Sequence, residues 1–558
     1  MGQCCPGVGP GRIYEALREA TLARAVSPMD LSVLRLNFDP SRRFRRVYHL
    51  GALLGEGSFG SVCSCTRRLT GEERAVKQLL KSRMKDGGED VLNELEILAT
   101  LDHPNVVKFY EFFEDDLAVL AVTELCGEGD FSSLLPRGPG EEDVRLLYRD
   151  VMLGLAYCHS FGIVHRDLKL ANCVIARRGP HDRAVAKIID FGLAVLRREE
   201  DCDEEWLYET CGTAAFQAPE VLQRSYGEKC DIWSFGIMVL MQVKGSDIDP
   251  VQTASRSERY EKLELYLDVM SQELGGNKAF RLAQRLLCRD VAQRPSAQAA
   301  LESSWLRPPS VRAQEAAPDR LTRKDRSYLR RSLSAFAKLS PFDKVVLLMA
   351  SNASRCHRSD FCRKTSKLFM STDTDKSGFL NQEEVQRALA ACGLEADEEQ
   401  VEELWHALDA SEDGRVTHSE WVSATMDDST LRSKTTAKEL FEWLDFDGSG
   451  SVSLHELKRL VTDEEASEVL DSADSSGDGL LSFEEFTELI HSIASRRYGP
   501  DPGSPSGDSE QETGGVLCGG STGNCGAAKE LPTPRATPLG RTMNWRLDSL
   551  PPAMRKTM

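Results

Sequence analysis

Four stretches of the chain carry oxygen-bearing side chains at a spacing that suits a hard metal ion. They read DTDKSGFLNQEE, DASEDGRVTHSE, DFDGSGSVSLHE and DSSGDGLLSFEE and begin at Asp373, Asp409, Asp445 and Asp474. Each has oxygen side chains at positions one, three and five, glycine at six and glutamate at twelve. Several oxygens around a tight turn, closed by a two-oxygen glutamate clamp, form the ligand set that Ca²⁺ prefers. The pattern therefore predicts four calcium sites.

The predicted calcium ligands stand at positions one, three, five, seven and twelve of each loop. They are Asp373, Asp375, Ser377, Phe379 and Glu384; Asp409, Ser411, Asp413, Arg415 and Glu420; Asp445, Asp447, Ser449, Ser451 and Glu456; and Asp474, Ser476, Asp478, Leu480 and Glu485. One such match could be an acidic surface turn, but four in series favour metal binding. We expect the second loop, with Ser411 instead of an acid at position three, to bind calcium more weakly.

A second set of residues suits phosphate chemistry. The stretch LLGEGSFGSV places Gly55, Gly57 and Gly60 between two strand-like runs, where the missing side chains let the backbone approach phosphate oxygens. Lys77 follows on the next strand-like run, and Glu94 lies on a helical pattern where it can pair with that lysine. Alone, this glycine spacing fits a hairpin turn equally well. The motifs HRDLKLAN, DFG and APE then follow in order.

Together these motifs resemble the eukaryotic protein kinase family over residues 48–306. The resemblance implies transfer of the γ-phosphoryl group of MgATP to protein substrates, where positioning and charge neutralisation dominate catalysis. The lysine of HRDLKLAN and the Gly-Thr before APE resemble serine/threonine kinases. The implied catalytic roles are phosphate binding by Lys77, orientation of that lysine by Glu94, proton acceptance by Asp167, stabilisation of the phosphoryl group by Lys169, and Mg²⁺ binding by Asn172 and Asp190.

The same resemblance implies the residues that hold the nucleotide. Gly55, Gly57 and Gly60 of the glycine-rich loop cover the phosphates. The adenine lies between the apolar side chains of Leu54, Val62, Ala75 and Val174, and Thr123 occupies the gatekeeper position. The backbones of Glu124 and Cys126 form hydrogen bonds with the base, and Asp130 reaches the ribose. The resemblance also implies structural anchors at Asp231 and Trp233 and a Glu220–Arg294 ion pair.

Glu209 stands where many kinases carry a threonine that must be phosphorylated to order the activation loop. A carboxylate facing Arg166 supplies roughly half the charge of a phosphate at neutral pH. We therefore predict activity without phosphorylation of this loop. The alternative is that Glu209 only belongs to the solvated acidic run REEDCDEEWLYET.

The segment 322–352 connects the kinase-like part of the chain to the four calcium loops. Its sequence predicts two short helices. Thr322 and Ser340 each precede an aspartate by three residues, as in capping boxes, and Pro341 falls at the tolerated first position of the second helix. The apolar positions are Leu329, Leu333, Phe336, Phe342, Val345, Val346 and Met349, and the basic ones include Arg330, Arg331 and Lys338. A calcium-loaded lobe with an apolar groove and an acidic rim grips such helices. The stretch LRRSLS also predicts that Ser334 lies near Asp167 as a pseudosubstrate or autophosphorylation site.

The whole arrangement resembles the calcium-dependent protein kinases of plants and apicomplexan-type protists over roughly residues 48–495, and its loop array resembles calmodulin. The implied fold class is an α+β bilobal protein kinase fold followed by an all-α calmodulin-like domain with two pairs of EF-hands. The resemblance implies that the junction inhibits the kinase at rest and that Ca²⁺ moves it away. The expected parts are a flexible extension (1–47), the kinase domain (48–306), autoinhibitory junction helices (311–352), the calmodulin-like domain (353–495) and a disordered tail (496–558).

The amino-acid composition limits the kinds of partner that we expect for this protein. The net charge of −19 argues against nucleic acid, whose phosphates need a basic face, and no run of about 18 apolar residues suggests a membrane span. The 16 cysteines follow no metal or disulfide framework, so we expect reduced thiols in a monomeric cytoplasmic protein that acts on protein Ser/Thr. The start MGQCC offers Gly2, Cys4 and Cys5 for acylation and membrane attachment, although Pro6 departs from the usual acceptor pattern.

Two other readings remain open at this point. The chain could be a calcium-responsive scaffold whose kinase fold is inactive, or a constitutively active kinase with a merely structural calcium domain. Phosphate transfer to a basic peptide, measured with Ca²⁺ and with chelator, discriminates among all three.

Overall fold

The computed structural model describes residues 13, 15–17, 43–56, 60–84, 88–137, 142–176, 183–197, 207–246, 258–307, 321–352, 359–392 and 398–498. Gly57, the acylation candidates Gly2, Cys4 and Cys5, and the tail beyond residue 498 lie outside the described residues.

The first part of the kinase region is an antiparallel sheet in the order β1-β2-β3-β5-β4. Its elements are α1 (Phe44–Val47), β1 (Tyr48–Glu56), β2 (Gly60–Arg67), β3 (Glu73–Leu80), α2 (Glu89–Thr100), β4 (Phe109–Glu114) and β5 (Ala118–Glu124). Strand β3 is central, and Lys77 pairs in register with Val62 on one side and Ala121 on the other. Both neighbours therefore fix the position of the predicted phosphate-binding lysine.

The second part is mainly helical. Its elements are α3 (Glu142–Ser160), β6 (Ile163–Val164), β7 (Cys173–Ala176), β8 (Val185–Ile188), β9 (Val195–Leu196), α4 (Pro219–Gln223), α5 (Lys229–Lys244), α6 (Arg259–Leu274), α7 (Lys278–Leu286) and α8 (Ala297–Leu301). Strand β6 pairs with β9 and β7 with β8, and the connections between them carry Asp167 and Asp190. The buried helices α3 and α5 form the core beneath these loops.

The junction forms two helices, α9 (Arg323–Phe336) and α10 (Pro341–Asn352), as predicted. Thr322 and Asp325 make both hydrogen bonds of a capping box, and Ser340 Oγ accepts from the Asp343 N–H at 3.2 Å. Helix α9 buries one face, whereas α10 is buried almost all round. Periodicity alone indicated only one apolar face for α10, because it does not show how many elements surround a helix.

The calcium-binding region is helical and contains two paired units, which confirms the predicted fold class. Its elements are α11 (Asp360–Thr372), α12 (Gln382–Ala391), α13 (Glu398–Leu408), α14 (His418–Thr425), α15 (Asp428–Leu431), α16 (Lys434–Leu444), β10 (Val452–Ser453), α17 (Leu454–Leu457), α18 (Asp463–Ala473), β11 (Leu480–Leu481) and α19 (Phe483–Tyr498). A bridge between Leu380 and Val416 joins the first two loops, and β10 pairs with β11 between the last two.

Parts of the two expected flexible ends are packed. Ile13 and Leu17 are buried in the cluster that includes Leu79 and Val91. At the other end, α19 continues beyond residue 495 to Tyr498, because the guanidinium of Arg497 donates to the carbonyls of Ser423 and Ala424 near the end of α14. Cations at this position satisfy the last carbonyls of a helix.

No helix within the described ranges is long and apolar enough to cross a membrane. The cysteines that the structure describes form no disulfide bonds with one another.

Candidate active site and calcium sites

Lys77 lies between two carboxylates at the centre of the kinase cleft. Its Nζ is 2.5 Å from Glu94 Oε1 and 2.7 Å from Asp190 Oδ1. Burial alone would lower the pKa of Lys77, but the two carboxylates outweigh it and hold the pKa above its ordinary value. The lysine therefore stays charged, as the binding of ATP phosphates requires, and α2 is in the position that brings Glu94 to it.

Asp167 is oriented by a network of donors. Its Oδ1 accepts from the backbone N–H and the hydroxyl of Thr213, both at 2.7 Å, and its Oδ2 accepts from Lys169 Nζ at 2.6 Å. Lys169 Nζ also donates to Thr213 Oγ1 at 3.0 Å, and Asn172 Nδ2 donates to the Asp167 carbonyl at 2.9 Å. The predicted neighbourhood of Asp167, Lys169 and Thr213 is thus present.

Asp231 on α5 anchors the catalytic loop from below. Its two carboxylate oxygens accept from the backbone N–H groups of His165 and Arg166, each at 2.9 Å. Arg166 itself adopts a left-handed backbone with φ of 63°, which the fixed contacts of the loop maintain. The expected anchors are also formed elsewhere, since Arg294 pairs with Glu220 and lies over the Trp233 ring at 5.1 Å.

The residues predicted to hold the nucleotide gather at one edge of the cleft. Ala75 pairs with Thr123 across β3 and β5, and Asp130 forms a bridge with Val174. The Glu124 N–H donates to the Lys108 carbonyl at 2.9 Å, so of the two backbone groups of Glu124 the carbonyl is the one that can bond a base. The carboxylate of Glu124 pairs with buried Lys187 at 2.7 Å, a partner that sequence reasoning missed.

The remaining predicted nucleotide contacts lie on the strands next to the cleft. Leu54 and Gly55 are exposed near the end of β1, and Val62 lies on β2. Gly60 begins β2 and pairs with Leu79, where a side chain would collide with the Gln78 carbonyl. Glycine at this position therefore serves the close packing of β2 on β3.

Glu209 faces Arg166, as predicted. Arg166 Nη1 donates to Glu209 Oε2 at 3.2 Å, while Arg166 Nε donates to the Leu193 carbonyl at 2.6 Å. The hydroxyl of Tyr226 donates to the Glu209 carbonyl at 2.6 Å and fixes the backbone at this point. The Glu209 side chain is 77% exposed, so its ion pair is weak and the backbone contacts carry much of the local order.

We expect phosphatase treatment to leave the kinase activity unchanged, because a carboxylate already occupies the position of the phosphate. Glu209→Gln is expected to lower kcat/KM by no more than about fivefold, since an exposed ion pair contributes about 1 kcal/mol or less. Both are measured by peptide phosphorylation, with mock-treated protein as the control. A loss of most of the activity after phosphatase treatment would contradict this account of the loop.

The carboxylates of the first and third calcium loops converge. One oxygen each from Asp373, Asp375 and Glu384 lies within 4.8 Å of the others, and Asp445, Asp447 and Glu456 form an equivalent group. A cluster of hard oxygen donors around a turn fits Ca²⁺.

In the second and fourth loops, the described residues form no such cluster. Each of these two loops has a serine, Ser411 or Ser476, at position three, where the first and third loops have aspartate. The two loops with serine at position three are therefore the two whose described carboxylates do not converge.

The residue at position nine has a structural role that sequence reasoning left undefined. Asn381, Thr417 and Ser453 cap the helix that follows each loop, and the glutamate at position twelve closes the capping box. In the fourth loop, Ser482 exchanges the same bonds with Glu485. The helix start therefore fixes the glutamate clamp at its place in each loop. The visible sequence signal was a Ser, Thr or Asn three residues before glutamate.

The calcium loops differ in how burial and hydrogen bonds shift the pKa of their carboxylates. Burial raises the pKa of Asp373 in the first loop to about 7, and that of Glu420 in the second loop to about 7. In the fourth loop, hydrogen bonds from Ser482 lower the pKa of Glu485 to about 2. Part of each of the first two loops, including Asp373 and Ser419, is buried where the loop lies against the kinase region.

The first loop contacts the end of α3 in the kinase region. Ser160 Oγ donates to the Ser377 carbonyl at 3.1 Å, and the rings of Phe161 and Phe379 meet edge to face at 5.9 Å. A Cβ on Gly378 would lie 2.2 Å from the ring of Tyr157, so glycine is needed there both for its φ of +84° and for this close approach. Sequence analysis missed this contact, which joins residues more than 200 positions apart.

Other contacts attach the calcium-binding region and the junction to the first part of the kinase. The Asp102 carboxylate accepts from the backbone N–H of Ser419 at 2.7 Å and from its hydroxyl at 2.9 Å, at the start of α14. Arg67 on β2, 1% exposed, pairs with Glu439 of α16 at 3.2 Å. Lys108 Nζ donates to the Ser351 carbonyl at the end of α10 at 3.2 Å. The calcium-binding region therefore spans the sheet and the helical part.

Gly378→Ala is expected to open this contact, whereas Gly414→Ala is the matched control. Both glycines have a left-handed backbone, with φ of +84° and +78°, but a Cβ on Gly414 meets no atom within 4 Å. Tyr157 cannot retreat easily, because its hydroxyl accepts from the Asp102 N–H at 2.8 Å and its ring stacks on His103.

The added crowding should cost about 1–3 kcal/mol in the docked state, beyond the backbone strain that the two variants share. Hydrogen exchange at residues 157–162 measures the opening at saturating calcium, and we expect it to be about tenfold faster in Gly378→Ala than in Gly414→Ala. Equal exchange in the two variants would show that the contact is not maintained in solution.

Both pairs of calcium loops grip the junction. Helix α9 packs against α13, α14 and α19, and α10 packs against α14, α15, α16 and α18. Leu329, Leu333 and Phe336 of α9 are buried in these contacts. The apolar face predicted to bind a calmodulin-like domain is thus the face that does so.

The buried face of α9 turns Ser334 outward. Ser334 is exposed and lines a cleft with Arg496 of α19, whereas the side chains that contact Asp167 include Thr213 and Lys169. The arrangement described is therefore not one in which Ser334 occupies the catalytic site.

Comparison with known proteins matches both parts of the chain. Residues 48–306 match the family model for the protein kinase domain, and residues 365–426 and 434–491 match the model for an EF-hand domain pair. Calcium-dependent protein kinase 9 of Arabidopsis thaliana is 30% identical over 494 residues, which cover 85% of this chain and 87% of the relative. Calcium-dependent protein kinase 2 of Zea mays is 30% identical, covering 80% and 86%.

These relatives are similar to the chain across the kinase region, the junction and the loops together. Their similarity agrees with the geometry, in which a catalytic cleft of assembled kinase residues and a four-loop calcium-binding region belong to one chain. The chain therefore belongs to the calcium-dependent protein kinase family.

Proposed function

We propose that calcium stabilises the arrangement described above, in which both loop pairs hold the junction while the catalytic residues are assembled. The protein is a calcium-activated serine/threonine kinase. The observation that carries the mechanism is that α9 and α10 are gripped by both loop pairs while the Lys77–Glu94 ion pair is formed. The junction is then held by the calcium-binding region and kept away from the catalytic cleft.

The residues of the cleft act by position and charge. Lys77 binds the nucleotide phosphates, and Asp167 receives the proton of the substrate hydroxyl at its carboxylate. Lys169 lies 2.6 Å from Asp167 and neutralises charge on the phosphoryl group. The fully formed set argues against the reading of an inactive scaffold.

Asn172 and Asp190 are proposed to hold Mg²⁺. The Asp190 side chain is 45% exposed toward the cleft, and the pair offers the carboxylate and amide oxygens that a small hard cation takes. Bound there, Mg²⁺ supplies charge neutralisation between the phosphates. Lys77 outweighs burial and lowers the pKa of Asp190, so its carboxylate is ionised and ready to bind a cation.

The four loops are proposed to divide into two classes. The first and third loops have aspartate at positions one and three and a converged carboxylate group, so they should bind Ca²⁺ more tightly. The second and fourth loops should fill at higher concentration. Each pair then contains one loop of each class.

The energy required is within reach of such sites. Moving a two-state equilibrium from 1:99 to 99:1 takes about 5.5 kcal/mol of differential binding. Two calcium ions that each bind the gripped arrangement about a hundredfold better than the open one, or four that each bind it about tenfold better, supply that amount.

Substitutions on the buried apolar face of α9 test whether the calcium-binding region must hold the junction for activity. Leu333→Ser combined with Phe336→Ser removes two side chains that are 0% and 1% exposed, and Arg330→Gln changes an exposed residue of the same helix. The ratio of activity with Ca²⁺ to activity with chelator is expected to fall to near one in the double variant and to stay high in the control. A ratio unchanged by the double variant would overturn the proposal.

Attachment to a membrane is proposed on sequence grounds alone. Acylation of Gly2 together with Cys4 or Cys5 gives two hydrophobic anchors, and two anchors are needed for stable binding of an otherwise cytoplasmic, monomeric protein. Incorporation of a labelled myristate analogue, compared between the wild type and Gly2→Ala, tests the first anchor. Absence of label in the wild type would show that Gly2 is not myristoylated.

A further inference from the structure

A charged cleft lies where α9 ends, α10 begins and α19 passes beside them. Its volume is about 680 Å³, and its polar lining includes Arg331, Ser334, Lys338, Asp343 and Arg496. Three of these side chains are cations and one is a carboxylate. The cations come from two parts of the chain, the junction and the last helix of the calcium-binding region.

Arg496 is held in place at the wall of this cleft. Its Nη2 and Nε lie 2.7 Å and 3.2 Å from the two carboxylate oxygens of Asp343, and its Nη1 donates to Ser492 Oγ at 2.7 Å. Arg331 and Lys338 are exposed, and the described part of the chain places no acidic side chain in an ion pair with either. The cleft therefore offers positive charge to an anion.

Ser334 is the exposed hydroxyl that stands among these cations. It follows Arg331 by three residues, a spacing that brings side chains to one side of a helix, and Lys338, just beyond the end of α9 at Phe336, lines the same cleft. Leu333 and Phe336, on the other side, are buried against the calcium-binding region. Ser332, by contrast, is 2% exposed and cannot receive a modifying enzyme in this arrangement.

We propose that Ser334 is a phosphorylation site and that its phosphate is bound by Arg331, Lys338 and Arg496. Because Arg496 belongs to α19, this contact forms only when the junction is held by the calcium-binding region. Phosphorylation therefore lowers the calcium concentration needed to hold the junction. This regulation rests on the proposed calcium switch.

The modifying enzyme is proposed to be a second copy of this kinase. Ser334 Oγ forms a bond to the γ-phosphorus of MgATP while the bond from that phosphorus to the β,γ-bridging oxygen breaks and ADP leaves. The hydroxyl proton passes to Asp167 of the acting copy. A second copy is required because, in this arrangement, Ser334 lines the cleft beside Arg496 and not the catalytic site.

Two local effects oppose the phosphate, and both are smaller than the gain. The dipole of α9 disfavours an anion near its end at Phe336, and Asp343 is a nearby negative charge. However, the three cations Arg331, Lys338 and Arg496 outnumber the single carboxylate of Asp343, and the resulting net charge of +2 attracts a phosphate of about −1.5 to −2 charge through charge-assisted bonds.

The first experiment asks whether the site is modified. The full chain with Asp190→Ala serves as substrate for active protein that itself carries Ser334→Ala, with MgATP and Ca²⁺, and the phosphates are located by mass spectrometry. We expect phosphate at Ser334 and none on that peptide when the substrate also carries Ser334→Ala. No phosphate at position 334 would overturn modification by a second copy.

The second experiment asks what the phosphate does, using full chains with serine or genetically incorporated phosphoserine at position 334. Hydrogen exchange of the α10 amides is followed against free Ca²⁺, and we expect the half-protection concentration to fall by about three- to tenfold. In Arg496→Gln, the same pair of chains should differ by less than about twofold. A rise in the calcium requirement, no shift, or an equal shift in Arg496→Gln would overturn the inference.

This readout separates the inference from the switch on which it rests. If Ca²⁺ protects α10 in the unmodified chain and phosphoserine changes nothing, only the phosphate site is wrong. If Ca²⁺ fails to protect α10 in either chain, the proposed function is wrong and the inference falls with it.

Discussion

Replacing Glu384 and Glu456 together by glutamine is expected to raise the calcium concentration for half-maximal activity by at least about a hundredfold. These residues close the first and third loops, where the carboxylates converge within 4.8 Å. Glutamine keeps the size of the side chain but loses the charge and one of the two acceptor oxygens. Replacing a residue that only supports a metal ligand typically costs 10–100-fold in affinity, and loss of a direct charged ligand should cost at least as much.

The matched control is the pair Glu420→Gln and Glu485→Gln in the second and fourth loops. These residues hold the same position and close the same type of capping box, so the change to helix capping is equivalent. Half-maximal calcium should rise by less than about tenfold, since the weaker sites contribute less to the grip. Calcium titration of peptide phosphorylation measures both pairs. Equal effects would contradict the division of the loops into two classes.

The second large effect is expected for Asp167→Asn, which should lower kcat by about 10²- to 10⁴-fold, the usual contribution of a general base. Asparagine can still accept from Thr213 through its amide oxygen, but it can neither take the substrate proton nor balance the charge of Lys169, 2.6 Å away. Asp116→Asn, at an exposed turn between β4 and β5, is the matched control.

Calcium binding should be unchanged in Asp167→Asn. Calorimetric titration of Ca²⁺ into the variant and the wild type checks this point, because the loops and the catalytic loop belong to different parts of the chain. Full activity in Asp167→Asn would show that another group accepts the proton. Loss of calcium binding would show that the substitution had disturbed the fold.

Local spacing made the two chemistries predictable from sequence. A calcium loop places its ligands within twelve consecutive residues, so the types and order of Asp373 to Glu384 are enough to indicate it. The capping signals at Thr322 and Ser340 are equally local and correctly marked both junction helices. The contact of Glu209 with Arg166 was predictable only through the resemblance to kinases.

Contacts between distant parts of the chain could not be predicted. The bonds of Asp102 with Ser419 join residues 317 positions apart, and neither residue has a distinctive neighbourhood in the sequence. The need for glycine at position 378 was predicted from the loop alone, although the ring of Tyr157 demands it too. Ser334 was expected near Asp167 because its motif resembles a substrate, but packing of Leu333 and Phe336 decides which way it faces.

The most direct test of the central claim is the rate of phosphate transfer from ATP to a basic peptide by the full chain, with saturating Ca²⁺ and with chelator. The account predicts at least about tenfold faster transfer with Ca²⁺, because the junction is kept away from the catalytic cleft only when the loops hold it. Equal rates in the two conditions would contradict it and would leave a constitutively active kinase with a structural calcium domain.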